Sequence, residues 1–213
     1  MRLESHDNKP NEYKCYLTPA EYELFIEVTD TRAAEYQERT KLSLRDEVMV
    51  RLGGDVGLRS REIVSVKAND LKVDEYGDRY IKVKGKNTRG GAPKTREAYV
   101  PDGCFSAIRD WMATRGVKPD EDTRILPITT RALRDRIEVL RERAAEQADN
   151  DDWNHVTSHD LRRFYAQDLL VRKGVGVRVV MAWGGWSSYS AIEPYLTSPT
   201  PEQMHEEIAR HEL

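Results

Sequence analysis

One segment of the sequence, DRYIKVKGKNTRGGAPKTREAYVP over residues 78–101, predicts β structure in a chain whose other patterns are helical. Its two ends alternate in side-chain character around a glycine-rich centre, which is typical of two antiparallel strands joined by a long loop. No other segment has a comparable pattern. We therefore expect an α+β fold that is mainly α-helical, with one small antiparallel β-sheet.

Helical signals occupy most of the remaining sequence. In LTPAEYELFIEVTD, Thr18 is placed as an N-cap with Pro19 in the first turn and Glu21 three residues after the cap. SLRDEVMVRLGGDVGLRSREIVSV predicts two helices hinged at Gly53 and Gly54. Each of these signals is local, so each can be tested against the structure separately.

Three later segments carry apolar residues at helical spacing. CFSAIRDWMATRG and RALRDRIEVLRERAAEQA predict two helices, and SHDLRRFYAQDLLVRKG predicts a third that begins at a Ser158 cap and ends before Gly174. A short terminal helix is expected from Pro201 to His211. No repeat or linker divides the 213 residues, so one domain is the simplest organisation.

The composition argues against several classes of protein. No apolar run approaches the roughly 20 residues that cross a bilayer, and the first residues lack an export signal, so we expect a cytoplasmic protein without membrane contact. The two cysteines, Cys15 and Cys104, stand far apart, which gives little support to a disulfide framework or a thiolate metal site. The net charge of -3 conceals a segregation of charge, because residues 82–96 hold six cations and no acid. This distribution leaves room for one basic face.

Two pairs of residues are candidates for binding an anion. His159 and Arg162 lie three residues apart, on one face of the first turn of a predicted helix, where the helix dipole favours negative charge. Arg59 and Glu62 are also one turn apart, so that the acid can hold the guanidinium in a fixed orientation. Taken singly, each pair is also compatible with an ordinary surface contact.

Four further residues have functional groups in glycine-rich or proline-broken segments. Lys86 stands in the hairpin loop, and Trp186 in GGWSS offers a single indole N–H donor. Tyr189 and Tyr195 each carry a hydroxyl, and Tyr195 follows the break that Pro194 imposes on the chain. Taken alone, Lys86 also fits a solvated loop and Trp186 a core position.

In combination, these motifs resemble those of the tyrosine recombinases, the phage-integrase family of DNA breaking and rejoining enzymes. GLRSREI resembles the family's first arginine box, VKGK its hairpin lysine, HDLRR its His-x-x-Arg box, GGWSS its His-or-Trp position and EPYL its nucleophile. The resemblance extends from about Tyr16 to Leu196, and the five motifs follow the family's order. It implies the catalytic fold of that family. Trp186 replaces the histidine of most members, which retains a donor but removes a proton-transfer group.

The resemblance implies a reaction for two of these residues. Tyr195 is expected to attack a scissile DNA phosphate, expel a 5′-hydroxyl and hold the strand as a 3′-phosphotyrosine. Lys86 is expected to protonate the leaving oxygen as the general acid. Tyr195 stands at the family's interval from Trp186, whereas Tyr189 lies too close and is expected to serve packing or positioning.

The resemblance also implies a phosphate-binding set. Arg59 and Arg162 are expected to bind the non-bridging oxygens, with His159 and the Trp186 N–H as further donors. Glu62 is expected to brace the surroundings of Arg59. No metal and no cofactor are expected, because the arginines take the electrostatic role that a metal fills elsewhere.

Double-stranded DNA is the partner that the resemblance implies, bound by a homotetramer that is monomeric when free. The cations expected to contact DNA outside the reacting centre are Lys82, Lys84, Arg89, Lys94, Arg96 and Arg163. Residues 1–15 are expected to form an N-terminal tail, and residues 16–213 a catalytic domain that includes the C-terminal helix. No separate core-binding domain is expected here, so we predict weak and poorly selective DNA binding.

Other functions stay open at this point. A type IB topoisomerase uses a similar set of residues, and a non-catalytic DNA-binding regulator could retain the same fold. A metal-dependent nuclease would need clustered carboxylates, but Asp149, Asp151 and Asp152 fall in what reads as a surface loop. His155 and His159 are poorly placed as a zinc pair because the predicted Ser158 cap lies between them.

Overall fold

The computed structural model describes residues 1–6, 9–30, 37–85, 95–196 and 208–209. Its strands are β1 (Arg2–His6), β2 (Lys9–Tyr16), β3 (Leu71–Val73), β4 (Arg79–Lys84) and β5 (Thr95–Tyr99). Its helices are α1 (Pro19–Asp30), α2 (Gln37–Gly54), α3 (Ser60–Ile63), α4 (Asp102–Thr114), α5 (Thr130–Ala148), α6 (Ser158–Gln167), α7 (Val177–Gly184) and α8 (Tyr189–Ile192). The mainly helical fold with small antiparallel sheets confirms the expected fold class. None of the described helices is long and apolar enough to cross a membrane.

The N-terminal residues differ from the expected tail. Strands β1 and β2 pair antiparallel, with Arg2 opposite Tyr16 and Leu3 opposite Cys15, so the expectation of a single β element is wrong. Cys15 is fully buried, and its backbone N–H donates to the Asp160 carboxylate of α6 at 3.0 Å. The sequence of these strands does not alternate between apolar and polar residues, so it did not predict them. The hydrogen bond to Asp160, 145 residues later in the chain, helps to hold β2 against α6.

The predicted hairpin is confirmed and has a third strand. Strands β4 and β5 pair antiparallel with Lys82 opposite Glu97, and β3 pairs with β4 on its other edge. Ile81 and Val83 of β4 are buried, whereas Lys82 and Lys84 are exposed. The three residues of β3 are too few to give a recognisable alternation, which is why the sequence did not predict it.

The start of α1 confirms the predicted capping box. Thr18 Oγ1 accepts from the Glu21 backbone N–H at 3.3 Å, and the Glu21 carboxylate accepts from the Thr18 N–H at 2.8 Å. Gly53 and Gly54 are the last two residues of α2, and α3 begins at Ser60, so the predicted break between two helices lies directly after the glycines and not at them. A Cβ on Gly54 would lie 2.2 Å from the Tyr22 ring, so this glycine serves close packing of α1 on α2.

The chain turns after α2 at Gly57, which has a φ of +70°. A Cβ on this residue would also lie 2.4 Å from the Tyr165 ring of α6. The turn leads directly into α3, whose first flanking residue is Arg59. The glycine therefore brings the first arginine motif close to α6.

Helix α6 begins one residue away from the predicted cap. Thr157 is the N-cap, and its hydroxyl accepts from the His159 N–H at 3.3 Å while Asp160 accepts from the Thr157 N–H at 2.8 Å. Ser158 instead hydrogen bonds with Ser60 across 2.8 Å between the hydroxyl oxygens, which joins the starts of α3 and α6. A π-helical turn, Asp168–Arg172, continues α6 to just before Gly174.

The buried apolar side chains form two clusters. The large core joins β2, the sheet β3–β5 and helices α1, α2, α4 and α5, and includes Phe25, Leu52, Leu58, Ile108, Leu140 and Trp153. The small core consists of Tyr165, Ala166, Val180, Trp186 and Ile192. Helix α6 contributes to both clusters, because Leu161 and Phe164 lie in the large one. The candidate site lies where the two cores meet.

Candidate active site

Arg162 lies at the centre of the candidate site and is completely buried. Its guanidinium donates to the carbonyl of Gly57 and, at 2.8 Å, to the carbonyl of Gly184. Desolvation, followed by the nearby charge of Arg59, lowers the pKa of Arg162 to about 10, so it remains a cation at neutral pH. Its hydrogen bonds go to neutral carbonyls, and none of the described carboxylates pairs with it directly, although the charge of Glu62 acts on it from a distance. Such a buried cation is suited to an anionic ligand.

Trp186 covers one face of Arg162. The Arg162 Cζ lies 3.8 Å from the centre of the indole ring, which is in turn stacked on Tyr165. The indole Nε1 is buried and has no hydrogen-bond partner among the described residues. Leaving a buried donor without a partner destabilises a fold by about 1–3 kcal/mol, and a ligand that accepts a hydrogen bond from this N–H would remove that cost.

Arg59 stands at the entrance, with its side chain 45% exposed. Glu62 accepts from the Arg59 guanidinium at 3.1 Å and from its backbone N–H at 2.8 Å, as the spacing had predicted. Burial alone would raise the pKa of the Glu62 carboxyl, but the hydrogen bonds and charge of Arg96, and then of Arg59, lower it. Glu62 is therefore an ionised brace that holds Arg59.

Tyr195 reaches the same place from the C-terminal side. It ends a short 3-10 turn, Glu193–Tyr195, and its ring centre lies 5.4 Å from that of Trp186 and 6.0 Å from the Arg162 Cζ. The His159 ring lies 5.1 Å from the Tyr195 ring. These aromatic contacts place the phenol beside the buried cation and the unpartnered indole donor.

His159 is exposed as a residue, yet neighbouring atoms desolvate its ring. Desolvation and then the positive charge of Arg163 lower the pKa of His159, while Asp160 partly opposes this shift. The imidazole is therefore neutral at pH 7, with one nitrogen as a donor and the other as an acceptor. His155 is oriented elsewhere, with its ring 4.4 Å from that of Tyr13.

Two of the expected DNA-contacting cations are occupied inside the protein. Arg163 is buried and pairs with Asp160, and its guanidinium also lies over the Tyr16 ring at 5.2 Å. Arg96 donates to both oxygens of Glu62 and has a side chain that is only 12% exposed. Both arginines therefore already have a carboxylate partner within the protein, and their expected contact with DNA stays a prediction.

The remaining predicted positions divide between exposed and undescribed residues. Lys82 and Lys84 are exposed on β4, whereas Lys86, Arg89 and Lys94 lie outside the described residues. Tyr189 is 56% exposed at the start of α8. The structure thus brings together Arg59, Glu62, His159, Arg162, Trp186 and Tyr195 from the predicted set.

Sequence reasoning missed the support of this site. Tyr165 stacks beneath Trp186, and its buried hydroxyl has no hydrogen-bond partner among the described residues. Burial raises the pKa of the Tyr165 hydroxyl well above that of an ordinary phenol. Gly184 and Gly185 allow close contact with Trp186 and Arg96 respectively, because a Cβ on either would overlap those side chains. The two glycines directly before Trp186 were the sequence signal from which this close packing could have been predicted.

Comparison with known proteins gives the same class as the fold and site. The profile of the phage integrase family matches residues 16–200. The chain is 26% identical over 188 residues to tyrosine recombinase XerC of Listeria welshimeri, covering 83% of this chain and 57% of that protein. It is 30% identical over 184 residues to XerC of Leptospira interrogans, covering 83% and 52%. The chain spans little more than half the length of these relatives.

Solved structures share the fold. The XerA recombinase matches with a TM-score of 0.68 at 21% identity, over 95% of this chain and 66% of that one. The Tn1549 transposon integrase in complex with transposon right end DNA also gives a TM-score of 0.68, at 20% identity, over 95% and 68%. The fold is thus that of a tyrosine recombinase catalytic domain. The chain belongs to the phage integrase family.

Proposed function

We propose that this chain is the catalytic part of a site-specific recombinase that cleaves and rejoins DNA strands through a 3′-phosphotyrosine. The observation that carries the proposal is the meeting of Tyr195 with Arg162 and Trp186. A phenol nucleophile there lies beside a buried cation that has no direct carboxylate partner, and a buried N–H that has no acceptor, among the described residues. A phosphodiester supplies the anionic oxygens that both groups lack.

In the proposed reaction, the Tyr195 oxygen forms a bond to phosphorus as the bond from phosphorus to the 5′-oxygen breaks. The phenol gives its proton to a base or to water, and the leaving 5′-oxygen gains a proton, for which we propose Lys86 as the donor. Rejoining reverses these steps when a 5′-hydroxyl attacks the phosphotyrosine. Each step replaces one phosphodiester bond by another, so the reaction needs no nucleotide cofactor as a source of energy.

The positive charge of the site has a clear energetic purpose. A free phenol has a pKa of about 10, so forming the phenolate at pH 7 costs about 4 kcal/mol unless local charge or a base assists. Arg59 and Arg162 supply this charge without losing a proton, and they also face the charge that develops on phosphorus oxygens. Neutral His159 and the Trp186 N–H add donors, and each preorganised donor is typically worth about 10²–10³ in rate.

We propose double-stranded DNA as the substrate. The XerH recombinase bound to its difH substrate and the DNA complexes of the Tn1549 integrase support this by similarity of fold. The exposed Lys82 and Lys84 of β4 offer cationic contacts to a DNA backbone. We further propose that residues from 16 onward form the catalytic domain, which assembles as a homotetramer on DNA.

A pool of nicked duplexes with a randomised core tests the proposal without knowledge of the target site. The nick is placed so that cleavage releases a short strand and rejoining fails, which traps a covalent adduct that denaturing gels detect. Tyr195→Phe is expected to abolish the adduct, and Tyr189→Phe to retain it. An adduct lost only in Tyr189→Phe would overturn the choice of nucleophile, and no adduct with the unaltered chain would refute the proposed function. If adducts form on duplexes of any sequence and the chain also relaxes a supercoiled plasmid, the topoisomerase alternative would be favoured.

A further inference from the structure

We propose that Arg96 is a positioning residue that fixes Arg59 through Glu62, rather than a contact to DNA; this inference rests on the proposed function. The Arg96 guanidinium donates from Nη1 and Nη2 to the two carboxylate oxygens of Glu62, at 2.8 and 2.9 Å. Its Nε donates to the carbonyl of Trp183 at 2.8 Å. Three of its nitrogens therefore hydrogen bond to protein acceptors.

Glu62 is shared between two arginines. The oxygen that accepts from Arg96 Nη1 also accepts from Arg59 Nη1, and the other accepts from the Arg59 backbone N–H. The Arg59–Glu62 pair alone is a half-exposed contact one turn apart, of a kind worth about 0.3–0.5 kcal/mol. A pair this weak does not fix a long side chain. The bidentate fork of Arg96 holds the carboxylate, and the carboxylate holds Arg59.

Gly185 fixes Arg96 from the opposite side. A Cβ on Gly185 would lie 2.8–3.0 Å from the Cδ, Nε and Cζ atoms of Arg96, and the residue has a φ of +70°. The Gly185 carbonyl also accepts from Arg59 Nη2 at 3.4 Å. Arg96 thus lies between α3 and the turn that precedes Trp186, so it sets the relative positions of two parts of the site.

Arg96 also determines the net charge of the group formed by Arg59, Glu62 and Arg96. Arg59 and Glu62 together carry no net charge, whereas Arg59, Glu62 and Arg96 together carry one positive charge. The negative charge of Glu62 is therefore balanced by Arg96 as well as by Arg59. With Arg96 present, Glu62 therefore weakens the attraction of Arg59 for an anion less than it would in the Arg59–Glu62 pair alone.

The two contributions are separable by substitution. Arg96→Lys retains the cation but cannot reproduce the planar fork, whereas Arg96→Gln removes both. With a duplex selected from the adduct-forming pool, we expect the rate of adduct formation at saturating DNA to fall about 10–100-fold in Arg96→Lys, and at least as far in Arg96→Gln, because displacements of about 1 Å cost about that much. The Kd for DNA is expected to change less than about threefold in Arg96→Lys, which keeps the positive charge and alters a side chain that does not face DNA.

Arg136→Gln is the matched control. Arg136 donates from Nε and Nη2 to Asp46 at 3.1 and 2.5 Å, joining α5 to α2 through residues that are not part of the candidate site. Its loss removes a comparable partly buried ion pair, so its effect on the free energy of unfolding measures the purely structural cost. We expect a comparable loss of stability in both variants, but a lower rate of adduct formation only when Arg96 is changed.

A double-substitution cycle and a spectroscopic measurement complete the test. If Arg96 acts through Glu62, the double variant Glu62→Gln/Arg96→Gln should form the adduct no more slowly than the slower of the two single variants. A double variant whose rate falls by the product of the two single effects would refute this route. In the DNA-free chain, the side-chain ¹⁵N–¹H NMR signal of Arg59 is expected to show faster rotation in both Arg96 variants and not in Arg136→Gln. An unchanged Arg59 signal, or a loss confined to DNA affinity, would overturn the inference even though adducts form. If the unaltered chain forms no adduct, the proposed function fails and the NMR result alone decides the positioning role.

Discussion

Replacing Gly184 by alanine is expected to disable the candidate site while leaving the chain folded. Gly184 ends α7 without a positive φ, so alanine suits its backbone and the effect is steric. The new Cβ would lie 1.8 Å from Cζ3 of Trp186, whereas ordinary contacts begin at 3.4 Å. The indole ring therefore has to retreat by about 1.6 Å, the difference between these distances.

The magnitude follows from what surrounds the ring. Trp186 is buried between Arg162, Tyr165 and Tyr195, so its displacement disturbs packing at a cost of about 1–3 kcal/mol for an overfilled core. In a domain of this size that loss lowers Tm by roughly 2–4 °C per kcal/mol, which leaves the chain folded. The donor and the cation move by more than 1 Å relative to each other, so adduct formation should fall about 100-fold.

Thermal unfolding and the trapped-adduct rate measure the two effects on one preparation. Gly176→Ala is the matched control, because a Cβ at the other end of α7 meets no described atom within 4 Å; its stability should change by less than about 1 kcal/mol. In a Trp186→Leu background the clash is absent, so Gly184→Ala should then cost almost no stability. A Gly184→Ala chain with unaltered Tm and rate would refute the geometry on which the site is built.

Three further expectations concern separate parts of the molecule. Because the folded-state pKa of His159 lies below 6.5, the unfolded chain binds more protons as pH falls through that value; urea titrations should show stability decreasing toward acid, with a smaller slope in His159→Gln. Burial raises the pKa of Cys15 to about 12 and that of Cys104 well above its ordinary value, so a colorimetric thiol reagent should react with either only as the chain unfolds. Lys82→Gln and Lys84→Gln should each reduce the slope of log affinity against log salt by about 0.9 while leaving adduct formation at saturating DNA unchanged; an unaltered slope would remove β4 from the DNA surface.

The sequence predicted those features whose signals are local. The capping box of Thr18 and Glu21 and the Arg59–Glu62 pair each lie within four residues, and each was found as expected. His159 and Arg162 share the first turn of α6, so a correct helix placement was enough to bring them together. Their proposed roles in phosphate chemistry remain predictions.

The features that the sequence did not predict depend on distant partners. Arg96 was assigned to DNA because it stands in a run of cations, yet its carboxylate partner is 34 residues earlier in the chain. Arg163 was also assigned to DNA, although it contacts β2 and Asp160 within the protein. Cationic composition shows that charge is present, but only tertiary structure shows which cations are already neutralised. The same reason explains the missed N-terminal hairpin, whose strand β2 is anchored on α6.

The division of the core links anion binding to the position of Tyr195. Tyr195 packs on the small cluster, which has few buried apolar side chains and should open locally at less free energy than the large core. Arg162 joins the two, because it donates to Gly57, which packs on Tyr165, and to Gly184, which packs on Trp186 of the small core. An anion that binds Arg162 and the Trp186 donor therefore compensates the buried charge and draws both sides together. If Tyr195 attacks a phosphate bound here, as we propose, we expect that phosphate also to stabilise the segment that carries Tyr195.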